Sequence, residues 1–118
     1  GHCLSATIDS ELVGFAAAGA VGREIHLNEL SVARVHQGRG IGAGLLEAMA
    51  IDSRNSGFSA ITLNTYRDIP WNAPFYAKHG FVMVESFEGR PHLAESLESA
   101  VATGLPRERR CAMIRFLS

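Results

Sequence analysis

A chain of 118 residues, 47% hydrophobic and 19% charged with a formal net charge of -1, has room for one domain around one core. The near-neutral balance excludes the basic footprint of a nucleic-acid binder. No apolar run approaches the ~18 residues of a membrane span, and Gly1-His2-Cys3 has neither the basic start nor the apolar core of a signal peptide, so the chain reads as cytoplasmic with no membrane partner.

In chain order, loose alternation from Cys3 to Ile8, turn chemistry at Asp9-Ser10-Glu11 and an apolar run from Leu12 to Val21 predict a β-hairpin. Gly22-Arg23 leads into a third strand, Glu24 to Val32, whose apolar set is Ile25, Leu27, Leu30 and Val32; apolar on both faces, it is expected to be central. From Ile41 the period lengthens to about 3.6, with Ile41, Leu45, Ala48, Met49 and Asp52 near one stripe and Leu46 and Ala50 beside it, and predicts a helix that Gly57 ends. Phe58 to Tyr66 alternates again, Ile61 and Leu63 against Thr62 and Asn64, and a strand-helix-strand order implies a right-handed parallel crossover.

Asp68 to Asn72 reads as a turn, Ala73 to His79 as a short helix stopped by Gly80, and Phe81 to Phe87 as another alternating strand. Leu93, Leu97 and Val101 mark an amphipathic helix that ends at Gly104. Arg107 to Arg110 reads as a solvated basic turn, a charged surface in preference to a binding patch, and Cys111 to Leu117 as a closing strand. Cys3 and Cys111 have no Cys-x-x-Cys partner and no histidine at metal-binding spacing, which reads as two reduced, partly buried thiols and no metal site.

The chemistry concentrates between Leu30 and Ser56, where an apolar strand gives way to Gln37-Gly38-Arg39-Gly40-Ile41-Gly42 and then to a helix. Alternate glycines keep side chains away, so successive backbone N-H groups converge on one anion and the helix adds the positive end of its dipole. Gly38, Gly40 and Ala43 also satisfy a dinucleotide-binding glycine pattern. That pattern wants its first glycine directly at the end of a strand and an acidic residue closing the next one. Here Arg34 to Gln37 intervene, and Phe58 to Asn64 contains no acid.

The spacing Gln-x-x-Gly-x-Gly after Leu30-Ser31-Val32 resembles the acetyl-CoA pyrophosphate loop of the GNAT superfamily of N-acyltransferases. Asn72-Ala73-Pro74-Phe75-Tyr76-Ala77-Lys78-His79-Gly80-Phe81 is similar to the other signature of that family, one helix and one strand further on. The resemblance implies a mixed α/β (α+β) fold of the GNAT type over residues 1–118, with a central, mostly antiparallel mixed sheet flanked by helices. It also implies transfer of an acetyl group from acetyl-CoA, as co-substrate, to the primary amine of a small molecule or peptide by direct attack. In that resemblance Gln37, Gly38, Arg39, Gly40, Ile41 and Gly42 hold the pyrophosphate, and the backbone of Leu30, Ser31 and Val32 holds the pantetheine arm with one N-H at the oxyanion. Tyr76 stands at the general-acid position for the leaving thiolate. Asn72 is either a cofactor contact or the N-cap of the helix starting at Ala73.

A base for the amine is expected on the central strand, either His26, with an ordinary pKa near 6.5, or Glu29, or no side chain at all. The two share a face only if a bulge interrupts the strand. His2, His36, His79 and His92 fall in turns or at element ends and read as solvated. The family's usual strand and helices ahead of the hairpin are missing from the sequence, which reads as N-terminally short. An open sheet edge and an uncovered apolar face are therefore expected, closed by a two-fold homodimer. A non-catalytic acyl-CoA-binding or dimerising domain is the alternative function.

Overall fold

The computed structural model describes residues 2–33, 37–38, 40–67, 72–104 and 109–117. Its strands form one six-stranded sheet in the order β1-β2-β3-β4-β6-β5, and the chain divides into two compact units, Gly1–Ile61 with Leu117–Ser118 and Thr62–Phe116. Among the described residues no helix is long and apolar enough to cross a membrane.

Tight turns build the first unit. Strand β1, His2–Ile8, pairs antiparallel with β2, Glu11–Val21, and the Ile8 to Glu11 pairing leaves Asp9 and Ser10 as a two-residue turn with φ of 51° and 68°. Positive φ at both central positions matches the right-handed twist of the flanking strands. Val21 pairs with Glu24 across Gly22-Arg23, so β2 runs antiparallel to β3, Glu24–Val32. These strands stand where the turn residues place them in the sequence, and β3 is interior to the sheet as expected.

Helix α1, Ile41–Asn55, covers one side of this hairpin sheet. Gly14 makes the approach possible: a Cβ there would meet the Ser31 carbonyl oxygen at 2.9 Å, Leu45 Cδ1 at 3.2 Å and Ile41 Cγ2 at 3.3 Å. Beneath the helix lie Gly14, Ala16 and Ala18 of β2 with Ile25 and Leu27 of β3, all buried. From above, Leu45, Leu46, Met49, Ala50 and Ser53 are buried. The contact stripe is thus turned from the expected one, since Ala48 and Asp52 are exposed while Leu46, Ala50 and Ser53 pack inward. The bulk of Leu46, with no exposed surface at all, fixes that rotation; a fully buried leucine contributes roughly 1.5–3 kcal/mol, and the methyl of Ala48 offers too little to compete. The apolar side of the hairpin is therefore covered rather than bare, and the other side of β1 carries exposed Cys3, Ser5 and Thr7.

The second unit contains most of β4, Ala60–Tyr66, then α2, Ala73–Lys78, β5, Val82–Met83, α3, Pro91–Ala102, and β6, Arg110–Phe116. Strand β5 is far shorter than the Phe81 to Phe87 strand expected from alternation. The Val84 amide still donates to the Ala112 carbonyl at 2.9 Å, but the Ser86 hydroxyl then accepts from the Glu88 amide at 3.3 Å and the Phe87 carbonyl from the Arg90 amide at 2.8 Å, so local turns take over. Strand β4 also departs from a half-solvated pattern, with Thr62 fully buried alongside Ile61 and Leu63. The reason is α3: His92 Nε2 lies 3.1 Å from Thr62 Oγ1, and Asn64 Nδ2 donates to Ser96 Oγ at 3.5 Å. His92 is accordingly half-buried in a polar seam and not solvated. Cys111 is buried and Cys3 exposed, and neither forms a disulfide.

Candidate active site

The start of α1 is an uncapped helix end. Gly40 occupies the N-cap position with φ of 78°, no side chain among the described residues caps the first turn, and no acidic residue lies in it. The amide of Gly44 takes the Gly40 carbonyl at 2.9 Å as the first helical bond, which leaves the earlier N-H groups without intrahelical partners. Gly38, with φ of 84°, and Gly40 are both exposed, and a Cβ on either would have nothing within 4 Å. Left-handed glycines with open space beside them thus precede the positive end of a 15-residue helix, a setting suited to an anion. Gln37 braces it, its Nε2 donating to the Val32 carbonyl at 3.2 Å and so tying the loop to the end of β3. Arg39 lies outside the described residues. Ile41 and Gly42, the first two residues of α1, are half-buried.

Strand β3 is irregular in the way a shared base face requires. Ala17 stands opposite Glu29 but Ala18 opposite Leu27, so Asn28 is the extra residue of a bulge. Because Ala17 and Ala18 point to opposite sides of the sheet, Glu29 and Leu27 do as well. His26, opposite Gly19, and Ser31, opposite Phe15, then fall on the side of Glu29, while Leu27 and Leu30 fall on the side of α1. Ser31 Oγ donates to Glu29 Oε1 at 3.0 Å across that polar side, where Glu29 is exposed and His26 half-buried. The pairing of Leu30, Ser31 and Val32 with Ala16, Phe15 and Gly14 engages one edge of β3.

A family model described as an acetyltransferase (GNAT) domain matches residues 1–83 of the 118. The chain belongs to the GNAT acetyltransferase family. Solved GNAT-type structures agree on the fold. The PaiA N-acetyltransferase of Thermoplasma acidophilum, in complex with coenzyme A, superposes with a TM-score of 0.73 at 20% identity over 97% of this chain and 59% of that one. The ribosomal-protein-S18-alanine N-acetyltransferase of Escherichia coli gives 0.75 at 17% identity, over 99% of this chain and 69% of that one. For the N-acetylglutamate synthase of Neisseria gonorrhoeae, complexed with coenzyme A and N-acetyl-glutamate, the values are 0.73, 21%, 94% and 24%. The chain thus spans between about a quarter and about two thirds of the length of these proteins.

The second GNAT signature lies in the second unit, on and around α2. Asn72 is at the N-cap position, yet its side chain does not cap: Oδ1 accepts from Thr65 Oγ1 at 2.6 Å, and its carbonyl accepts from the Tyr76 amide at 3.0 Å. The N-cap alternative is therefore replaced by a tie to β4. Tyr76 is edge-on to Phe75, with centroids 5.2 Å apart, and to Phe81 at 5.5 Å. Burial pushes its phenol up to about 12, so the group keeps its proton through neutral pH and is a donor there. His79 packs on Phe75 at 4.8 Å. The turn from Asp68 to Trp71 lies outside the described residues. The loop and base residues belong to the first unit, Tyr76 and Asn72 to the second.

Sequence reasoning read Arg109 and Arg110 only as part of a solvated turn and did not single out Arg67. Arg109 and Arg110 pack on the Tyr66 ring, with their guanidinium carbons at 5.4 and 4.8 Å from its centroid. Arg67 Nη2 donates to the Arg110 carbonyl at 3.1 Å. The only signal was the run of arginines, which reads just as well as a solvated turn.

Proposed function

We propose that the protein transfers an acetyl group from acetyl-CoA to a primary amine of a small molecule or peptide. One observation carries the reading: an uncapped helix end behind two left-handed glycines with open space beside them. Acetyl-CoA supplies the activated thioester. The N-H groups from Gly38 to Gly42 hold its pyrophosphate, and the backbone of Leu30, Ser31 and Val32 lies along the pantetheine arm. Tyr76 donates its proton to the departing thiolate. The polar side of β3 deprotonates the attacking amine, with His26 as the first choice and Glu29, joined to Ser31, as the second.

Incubation of the protein with acetyl-CoA and a panel of amines, read by mass spectrometry of the products, tests the activity. An acetylated amine is expected; tight CoA binding with no product from any amine would replace the reading by that of a non-catalytic binding domain. His26→Gln should lower kcat/KM by at least ~10-fold. If Glu29→Gln has that effect and His26→Gln does not, the base is Glu29.

The proposal includes a homodimer joined along β1. That strand ends the sheet order, and its residues His2–Ile8 contain no lysine, proline or acidic residue to guard a free edge. Antiparallel pairing of two such strands about a two-fold axis sets no like charges against each other. Sedimentation should show a dimer at micromolar concentration, and a monomer there removes this part of the proposal.

A further inference from the structure

Like charges crowd one end of β4 and β6 in the second unit. The Arg67 amide donates to the Arg109 carbonyl at 2.8 Å, so these residues face each other across the strands, and Arg110 follows directly. Like charges placed opposite each other destabilise a sheet. Among the described residues, the contacts of Arg67 and Arg110 are a main-chain carbonyl and the face of Tyr66, with no carboxylate between them. Arg110 Nε is buried and has no hydrogen-bond partner among the described residues, which leaves a charged group's N-H unsatisfied. Their field reaches inward too: burial pushes the Cys111 thiol up, while the charges of Arg67 and Arg110 pull it back.

Guanidinium groups gathered at one strand end, with Arg67 and Arg110 meeting no carboxylate among the described residues, have the composition of an oxyanion site, because the planar fork matches a carboxylate or phosphate in two-point fashion. We propose that Arg67, Arg109 and Arg110 bind an oxyanion, and that this oxyanion is the carboxylate of the acceptor, so that the substrate is an amine carrying a carboxylate. The second half rests on the acetyltransferase reading above. The placement supports it within the second unit. Tyr66 and Arg67 directly follow Thr65, which bonds Asn72, whose carbonyl holds the amide of Tyr76. Arg67 therefore follows a residue that is hydrogen-bonded to the start of the helix carrying the proposed acid, and Arg109 pairs with Arg67 through the main chain. A carboxylate there would offset the repulsion between the Arg67 and Arg110 charges, and acceptors without one would be disfavoured because they leave that repulsion uncompensated.

The test has two arms. In the first, acetate and inorganic phosphate are titrated against chloride at constant ionic strength, watching the Nε-Hε signals of the arginines by NMR. Saturable shifts at Arg110 and Arg67 are expected, weakened at least ~10-fold in Arg67→Gln, whose exposed side chain is not needed for folding; Arg110→Lys, which keeps the charge but loses the fork, should weaken them as well. Drift identical to that with chloride overturns the site. The second arm compares acetyl transfer to β-alanine and to β-alanine amide. A preference of at least ~10-fold for the acid, narrowed in Arg67→Gln, is expected, and equal turnover of the two overturns the acceptor assignment. So does a ~10-fold affinity difference between CoA and its 3′-dephospho form that disappears in Arg67→Gln, since the oxyanion then belongs to the coenzyme. Failure of every amine in the presence of acetyl-CoA overturns the acetyltransferase reading and the acceptor assignment with it, while the first arm still decides whether the oxyanion site exists.

Discussion

Gly40→Val should lose CoA binding by roughly 100-fold or more. Two effects act together. The backbone at Gly40 has φ of 78°, a left-handed conformation that costs an ordinary L-residue roughly 1–2 kcal/mol and a β-branched one more. The branched side chain also projects into the open space where an anion would meet the N-H groups. Displacing two hydrogen bonds to a charged phosphate, at about 1.5–3 kcal/mol each, is enough for the loss, since each 1.4 kcal/mol is tenfold. The buried face of α1 starts only at Leu45, so the fold should survive with a modestly lowered Tm. Calorimetry with CoA measures the effect, and parental affinity in the variant would remove the cradle from the mechanism. NADH should not compete with CoA; if it does, the dinucleotide pattern at Gly38, Gly40 and Ala43 has to be reconsidered.

Tyr76→Phe is expected to lower turnover by at least ~30-fold while CoA affinity stays nearly unchanged, because general acid catalysis is worth about 10²- to 10⁴-fold. The substitution removes one oxygen and keeps the ring that packs edge-on against Phe75 and Phe81. A phenol pushed up to about 12 by burial is protonated below that pH and loses its donor only above it. The parent's rate should therefore show no fall from this group until about pH 11 or higher. A variant within about threefold of the parent would make Tyr76 a packing residue of α2 and nothing more.

What could be read in advance, and what could not, divides by distance along the chain. The bounds of β3 and α1 follow from neighbouring residues: Gly22-Arg23 before the strand, the glycines before the helix, and Gly57, with φ of 90°, after it. Even the bulge left a trace. The apolar set of β3 steps by two from Ile25 to Leu27 and then by three to Leu30, and the extra residue is Asn28. The seam between β4 and α3 could not be read this way, because Thr62 and His92 are 30 residues apart. A threonine on an alternating strand looks solvated until the helix that covers it is known. The arginine site joins residues 43 apart, and the loss of β5 beyond Met83 depends on a serine hydroxyl winning an amide that alternation assigned to the ladder. The proposed cofactor and acid segments are each local in the chain; the charges that would select an acceptor are not.

The polypeptide's route back to its first unit constrains how it can be made. Leu117 is buried there, its amide bonded to the Ser59 carbonyl at 3.0 Å and its carbonyl accepting from Arg54 Nε at 2.9 Å, a partner 63 residues earlier. The segment Thr62–Phe116 is thus enclosed between two stretches of one unit. During translation the end of α1 cannot gain these contacts until residue 117 has left the ribosome, and closing so long a loop is slow compared with forming the hairpin of β1 and β2. The cradle's helix is consequently among the early elements to form locally and among the last to be locked, so a ribosome pausing inside the second unit would hold the nascent chain with its N-terminal hairpin made and its helix still unfastened.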